Sequence, residues 1–505
     1  MGIRVGLAAL LLLSGCTVGP NYEAPSAWSP MSWFRSTRSE RPTSKLSIPA
    51  AEPVDVEWWA VLRDPQLTAL MRRVAGANLD VRTQEIRLAE ARAQRGVTRA
   101  GEFPTINGNG SYTRELPSKQ GVLSLIGGSG SQATQSNGLG GTQGGVPVSS
   151  TGSSGIPAFD LFQTGFDASW ELDLWGRVRR QVESADAQVD ASVEARRQTL
   201  LTSLAELARN YVQLRGLQES ERIVRSNLAS ANEAVRLTNE RFQGGLSTDL
   251  DVAQSRAQAE ATGANLPQLE AQEQQAINAI SFLLGEPPGA LGAELETRKP
   301  VPPVPPTVPI GLPSELARRR PDIRQAEAQL HAATADIGTA QADFYPRITL
   351  SGSVALQATQ LKNLFNLNAI TYGFGPSVTV PIFEGGRLRR TLELRQAQQK
   401  EAAVNYQRIV LQAFHDVDNA LISYRADQLR RDRIAAEVAQ SRRALSLAND
   451  RYKNGLSDYL EVLTAQRTLL AAEQDLATAT TTVSTDLVQL YKALGGGWEI
   501  GEAKG

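Results

Sequence analysis

One sequence pattern occurs twice in this chain, and that duplication limits the fold more than any other feature. Leu237-Thr-Asn-Glu-Arg-Phe-Gln-Gly-Gly-Leu-Ser returns as Leu447-Ala-Asn-Asp-Arg-Tyr-Lys-Asn-Gly-Leu-Ser. Gly176-Arg-Val-Arg-Arg returns as Gly386-Arg-Leu-Arg-Arg, and Glu102-Phe-Pro-Thr-Ile as Phe344-Tyr-Pro-Arg-Ile. The order is kept, but the first copy carries an additional Gly/Ser-rich loop over 116–160. A duplicated unit is one supersecondary module built twice, so the architecture is read from the module. The copies span 65–285 and 314–495. Between them, 286–313 is a connector whose Pro-Val-Pro-Pro-Val-Pro-Pro at 300–306 cannot be helical and reads as extended. A short tail, 496–505, follows.

Each module opens with an expected helix. In the first, Asp64 is placed as N-cap with Pro65 at the first helical position, and the helix runs toward Phe103-Pro104. In the second it starts at Pro321-Asp322 and ends at Tyr345-Pro346. Strands follow. Ile106, Gly108, Gly110 and Tyr112 alternate with polar neighbours, as do Ile348, Leu350, Gly352, Val354 and Leu356. The return strands carry Phe166, Ala168, Trp170, Leu172 and Leu174, and Phe374, Pro376, Val378, Val380 and Ile382. A period of two gives each strand one apolar and one wet face, over about the ten residues that an outer-membrane wall needs.

A proline-free helix comes next, 177–242 in one copy and 387–452 in the other. Val178, Val182, Ala185, Val189 and Val193 form a narrow stripe, the seam of a coiled coil. Such a helix is about 100 Å long, more than a compact domain uses. Gly244-Gly245 and Asn454-Gly455 end it, and Ser247 and Ser457 are expected to cap a descending helix. The descending segment 250–284 and the segment 314–344, laid end to end, are expected to match the uninterrupted helix in length.

The chain ends fix the compartment. Arg4 and the apolar run Val5 to Leu13 read as a signal peptide, 1–15, too short to span a bilayer as a helix. Leu13-Ser14-Gly15-Cys16 resembles a bacterial lipobox, in which the cysteine is acylated; Thr17, not aspartate, follows it and favours the outer membrane. Segment 16–64 is then the lipid-anchored N-terminal part. Cys16 is the only cysteine, so no internal disulfide forms. The net charge of −1 gives no reason to expect nucleic acid. His331 and His415 lack metal-ligand spacing, and no phosphate loop or nucleophile elbow is present, so neither catalysis nor any cofactor is expected beyond the covalent lipid on Cys16.

Val56-Glu-Trp-Trp-Ala-Val-Leu-Arg-Asp-Pro, Leu312-Pro-Ser-Glu-Leu-Ala-Arg-Arg-Arg-Pro-Asp-Ile-Arg and Arg451-Tyr-Lys-Asn-Gly-Leu-Ser-Asp-Tyr-Leu-Glu-Val-Leu together resemble the TolC-like outer membrane factors, in their lipidated OprM-like (NodT) branch. The resemblance covers nearly the whole mature chain. It implies a mainly α fold with transmembrane β: a homotrimer with a 12-stranded outer-membrane barrel, four strands per chain, continued by a 12-helix periplasmic barrel. It also implies a tripartite efflux system, with a periplasmic membrane-fusion adaptor and an inner-membrane RND transporter as partners. The exit duct of a type I secretion system, or a periplasmic coiled-coil lipoprotein without a pore, remains an alternative. The gate is expected where the long helices turn, at Arg241, Asp249, Asp251, Arg451, Tyr452, Leu460, Glu461 and Thr464, with Phe242 and Tyr459 beside them. Arginine–acid pairs and stacked rings are expected to hold it shut. Thr464 stands where relatives carry aspartate, so part of their acidic ring is missing. Gly245-Leu246-Ser247 and Gly455-Leu456-Ser457 are the expected adaptor-docking turns. Trp58-Trp59 is assigned to packing, and Arg318-Arg319-Arg320 to capping and acid pairing.

Overall fold

The computed structural model describes residues 17–25, 46–50, 52–116 and 158–501. The signal peptide, Cys16 and nearly all of the 116–160 loop lie outside them. In chain order the elements are β1 (Ile48–Ala50), α1 (Pro65–Ala77), α2 (Leu79–Ala100), β2 (Thr105–Glu115), β3 (Phe159–Leu172) and α3 (Arg177–Gln243). Then come α4 (Asp249–Gly263), α5 (Asn265–Leu283), α6 (Gly292–Leu295), β4 (Thr307–Pro309), α7 (Pro313–Arg319) and α8 (Pro321–Ala342). The chain ends with β5 (Arg347–Ala358), β6 (Ile370–Thr379), α9 (Arg387–Lys453) and α10 (Tyr459–Leu494). They form two compact units. One holds the chain as far as Gly19, Val97–Val182 and Gly338–Leu392; the other holds Pro20–Gly96, Glu183–Ile337 and Glu393–Gly505. Each unit draws on both sequence copies.

The first unit is a four-stranded antiparallel sheet in the order β2-β3-β5-β6. Its register keeps the alternation in step across all four strands. Gly108, Phe166, Val354 and Tyr372 lie opposite one another in turn, as do Asn107, Asp167 and Ser353. One face is therefore apolar and the other polar. The apolar face is bare within one chain: Phe166, Val354, Tyr372 and Phe374 are all exposed. The return strands stop earlier than the alternation implies. Leu174 lies beyond β3, because the Asp173 carboxylate accepts from the backbone N–H of Val178 and Arg179, at 3.1 and 2.9 Å, and starts α3. Val380 and Ile382 lie beyond β6, next to Pro381, which has no N–H to donate to a ladder. The Trp175 ring stacks on Tyr345 with centroids 4.8 Å apart, and its Nε1 donates to the Pro346 carbonyl.

In the second unit, ion pairs give the side-by-side order of the upper helices. Arg196 of α3 meets Glu85 of α2, Arg324 of α8 meets Glu194 of α3, and Arg395 of α9 meets Asp336 of α8. Below, Arg225 of α3 reaches Glu270 of α5, while Glu473 of α10 takes both Asn227 of α3 and Arg442 of α9. The order α2-α3-α8-α9 thus gives way to α5-α3-α10-α9. The two long helices have 67 residues each. Their interrupted partners are broken more often than expected. Asn78 splits the first helix: its Oδ1 accepts from Asp80 and Val81 N–H, and its Nδ2 donates to the Leu283 carbonyl. The descending segment breaks at Ala264, close to Pro267, which cannot supply a helix-interior N–H. A further break at Arg320 separates α7 from α8. The broken column holds helices of 15, 19 and 22 residues, so it reaches parity with α3 only when the turns between its pieces and α7 are counted.

The core of this unit gathers around the N-terminal segment. Asp64 caps α1 by accepting from Gln66 and Leu67 N–H, with Pro65 following as expected. Trp58 and Trp59 are fully buried, and Trp58 stacks on Tyr491 at 5.2 Å. Arg320 pairs with Asp322 and Asp416 and donates to the Ala493 carbonyl, while Arg319 donates to the Val54 carbonyl. The connector is extended only in part: it contains α6, and β4 pairs in parallel with β1. His331 Nε2 lies 3.1 Å from Glu183 and its ring stacks on Tyr22, a packing role.

Burial and the field of the neighbouring Asp427 carboxylate push the Asp486 carboxyl up to about 7. The folded state therefore holds a proton that the unfolded chain gives up at lower pH. Stability from this group is present at acid pH and is lost as pH rises from about 4 through about 7. In Asp486→Asn the fall in melting temperature between pH 5 and pH 8 is expected to shrink; an unchanged pH profile rejects the assignment.

Candidate functional site at the helix tips

The long helices end in the same way in both copies. Leu246 N–H donates to the Arg241 carbonyl and Gly245 N–H to Phe242, while Leu456 and Gly455 repeat this on Arg451 and Tyr452. These are Schellman turns, which need a left-handed residue after the helix. Gly245 and Gly455 supply it, both at φ 71°. The next caps are not the expected serines. Thr248 and Asp458 are the N-caps of α4 and α10, one residue further on. Thr248 Oγ1 accepts from Asp251 N–H, and Asp251 Oδ2 accepts from Thr248 N–H at 2.9 Å, a capping box. Ser247 Oγ instead donates back to the Thr238 carbonyl, and Ser457 Oγ is buried without a hydrogen-bond partner.

The two turns meet through rings more than through charges. Arg241 lies over the Tyr452 ring at 4.7 Å and donates to the Lys453 carbonyl at 3.3 Å, joining α3 to α9. Tyr452 meets Tyr459 edge-on at 5.6 Å. Beneath them Val462 and Leu463 are buried, with Ala234 and Leu237 of α3 and Leu445 and Ala448 of α9 packed around them. Burial pushes the Tyr459 phenol up to about 12, so it stays neutral and serves as packing. Of the expected ion pairs, Arg451 and Glu461 stand 3.9 Å apart with both side chains about half exposed. Such a pair contributes about 0–1 kcal/mol. Asp251 is occupied by the capping box, and Asp249 is exposed in the first turn of α4. Thr464 Oγ1 donates to the Leu460 carbonyl within its own helix, and Leu460 is exposed.

Sequence reasoning did not single out Arg467 and Gln258, whose side chains join α10 to α4 at 2.6 Å. It also passed over the buried Thr238–Ser255 hydroxyl contact between α3 and α4. The first links residues 209 apart in sequence and the second reaches across the turn between neighbouring helices, and neither carries a motif. At the outer surface of the turns, Leu246 and Leu456 are 70 % and 69 % exposed. They are bare apolar side chains held by rigid turns. Among the described residues no group of three His, Cys, Asp or Glu side chains could hold a metal ion, and no helix is long and apolar enough to cross a membrane.

The profile of the outer membrane efflux protein family matches residues 70–286 and 312–496, and the chain belongs to that family. It is 32 % identical over 500 residues to the solvent efflux pump outer membrane protein SrpC of Pseudomonas putida, covering 98 % of each chain. It is 33 % identical over 499 residues to the pyoverdine export outer membrane protein OpmQ of Pseudomonas aeruginosa, covering 98 % of this chain and 96 % of that one. Among solved structures, the outer-membrane channel OprN superposes with a TM-score of 0.82 at 33 % identity, covering 96 % of this chain and all of the other. The family consists of outer membrane channels, not enzymes.

Proposed function

We propose that this chain is the exit duct of a tripartite efflux system, passing small molecules passively from the periplasm and an inner-membrane RND transporter to the exterior. Four strands from each of three copies close a twelve-stranded wall, and the helices continue it as a periplasmic tube. Cys16 carries the lipid anchor, and the Leu246 and Leu456 turns receive a periplasmic adaptor. Arg241, Tyr452 and Tyr459 hold the tip closed until it docks.

One observation carries this reading: a four-stranded sheet with one bare apolar face and, among the described residues, two unpaired edges, β2 and β6. In hydrocarbon an open edge leaves backbone groups unsatisfied at several kcal/mol each, so the sheet needs further copies. The outermost upper helices support the same conclusion. Leu79, Ile86 and Val97 on α2, and Val404, Leu411, Ile422 and Leu429 on α9, are exposed at spacings of seven and eleven. Those spacings align them into one stripe per helix. A rod-like scaffold without a pore has no use for the sheet. Extracted in detergent, the protein is expected to migrate as a heat-resistant trimer and to form conducting channels in planar bilayers. A monomer that does not conduct rejects the proposal.

A further inference from the structure

We propose that β6 of one copy pairs with β2 of the next in the register dictated by the internal repeat, with Ser377 opposite Ser111, Gly375 opposite Thr113 and Val378 opposite Gly110. The inference rests on the duct reading and deepens it by naming the seam between copies.

The repeat places Phe103 on Tyr345 and Gly176 on Gly386, and hence β2 on β5 and β3 on β6. The hairpins test this mapping. Ile106 with Ala168 and Gly108 with Phe166, carried over, become Ile348 with Val378 and Leu350 with Pro376, which are pairs observed in the second hairpin. Inside the chain, the junction between the copies pairs β3 with β5: Asp167 with Ser353, Gly165 with Ala355 and Ala168 with Gly352. Carrying the same junction one step further sets β6 against β2 as stated. It matches apolar face to apolar face and polar to polar.

Two glycine pairs give independent support. A Cβ on Gly165 would lie 2.4 Å from the Val354 carbonyl oxygen and 2.5 Å from Ala355 Cα, so only glycine fits there. Its counterpart Gly375 has nothing within 4 Å. Glycine inside a strand weakens it and marks the close approach of another backbone, and beyond its ladder partner Ser351 nothing in its own chain comes within 4 Å of a Cβ built on Gly375. In the same way, a Cβ on Gly338 of α8 would lie 2.9 Å from the Arg180 side chain, while its counterpart Gly96 of α2 is in open space. In both pairs the glycine at the internal junction is crowded and its equivalent elsewhere is empty. The turns agree. At the internal junction Trp175 covers Tyr345; Phe103, the counterpart of Tyr345, stands 60 % exposed.

The full chain carrying Ser111→Cys and Ser377→Cys, oxidised mildly in detergent, tests the register. Residues directly opposed in an antiparallel sheet lie about 4.5–5.5 Å apart at Cα, within disulfide reach, whereas diagonal neighbours lie about 7–8 Å apart. Covalent dimers and trimers are expected on a non-reducing denaturing gel. The single variants, whose only other cysteine is Cys16, give no dimer or trimer band that survives chemical denaturation and vanishes on reduction. The slipped combinations Ser111→Cys with Thr379→Cys, and Asn109→Cys with Ser377→Cys, give only traces. If a slipped pair dominates in a particle that is still trimeric, the register is overturned and the duct reading stands. If no oligomer forms in any variant or in the parent chain, both fall. Gly375→Val adds a second measurement. Its side chain meets open space within one protomer, so secondary structure is retained while the heat-resistant oligomer is lost. An oligomer of unchanged heat resistance overturns the close approach.

Discussion

Replacing Leu246 and Leu456 together by aspartate is expected to abolish export while leaving the amount of protein in the outer membrane unchanged. Both side chains are about 70 % exposed, so they bury little apolar area within the protomer. Surface substitutions of this kind stay within about 0.5 kcal/mol of neutral. The Schellman bonds that shape the turns are backbone bonds and survive the change. A docking partner, however, loses two apolar anchors and must desolvate two carboxylates in every copy. Cargo accumulation and immunoblotted protein level are measured in parallel. Export at the parental rate with normal protein level removes the docking assignment; reduced protein level places the leucines in folding instead.

Tyr452→Ala is expected to open the tip, giving larger and more frequent conductance steps in planar bilayers. It should also make cells sensitive to a bulky hydrophilic antibiotic. Tyr452 is 5 % exposed and supplies the ring that both Arg241 and Tyr459 contact. Truncating a buried aromatic costs about 3–5 kcal/mol, and here the loss falls on the ring cluster that joins the two turns. Tyr452→Phe keeps the ring and is expected to stay closed. Glu461→Ala removes only the exposed pair at 3.9 Å and is expected to change conductance little. The reverse pattern, silent Tyr452→Ala with open Glu461→Ala, points to an ionic latch and against the ring stack.

Much of this was legible because local rules and the tertiary fold agree. Proline-free stretches became the two 67-residue helices, and Gly245 and Gly455 became the left-handed turns that end them. The breaks at Asn78 and Ala264 were harder to read. Both fall inside helical patterns, and Asn78 is held by a carbonyl, that of Leu283, remote in sequence. The caps were misplaced by one residue. Ser247 precedes Thr248 and either can cap, but only Thr248 has Asp251 three places on to complete the box. At the tip, ion pairs and stacked rings are both expected from the sequence, and only their relative weight is not legible there. Opposite charges near one another in sequence suggest ion pairs, whereas the distances favour Arg241 over a ring. Which side chains meet across the two copies depends on helix rotation, and the 3.6-residue period alone does not fix it.

The equal span of α3 and α9 makes the chain intolerant of small length changes. Each helical residue adds about 1.5 Å and turns the chain by about 100°. Deleting one residue from the middle of α3 swings everything below it and takes the Arg241 guanidinium off its aromatic seat. Only steps near whole turns, of about seven or eleven residues, restore the facing, and they must be made in both rods at once. Evolution can therefore adjust how deep a cell envelope this molecule bridges only in coarse, paired increments, as on a ruler with two locked scales.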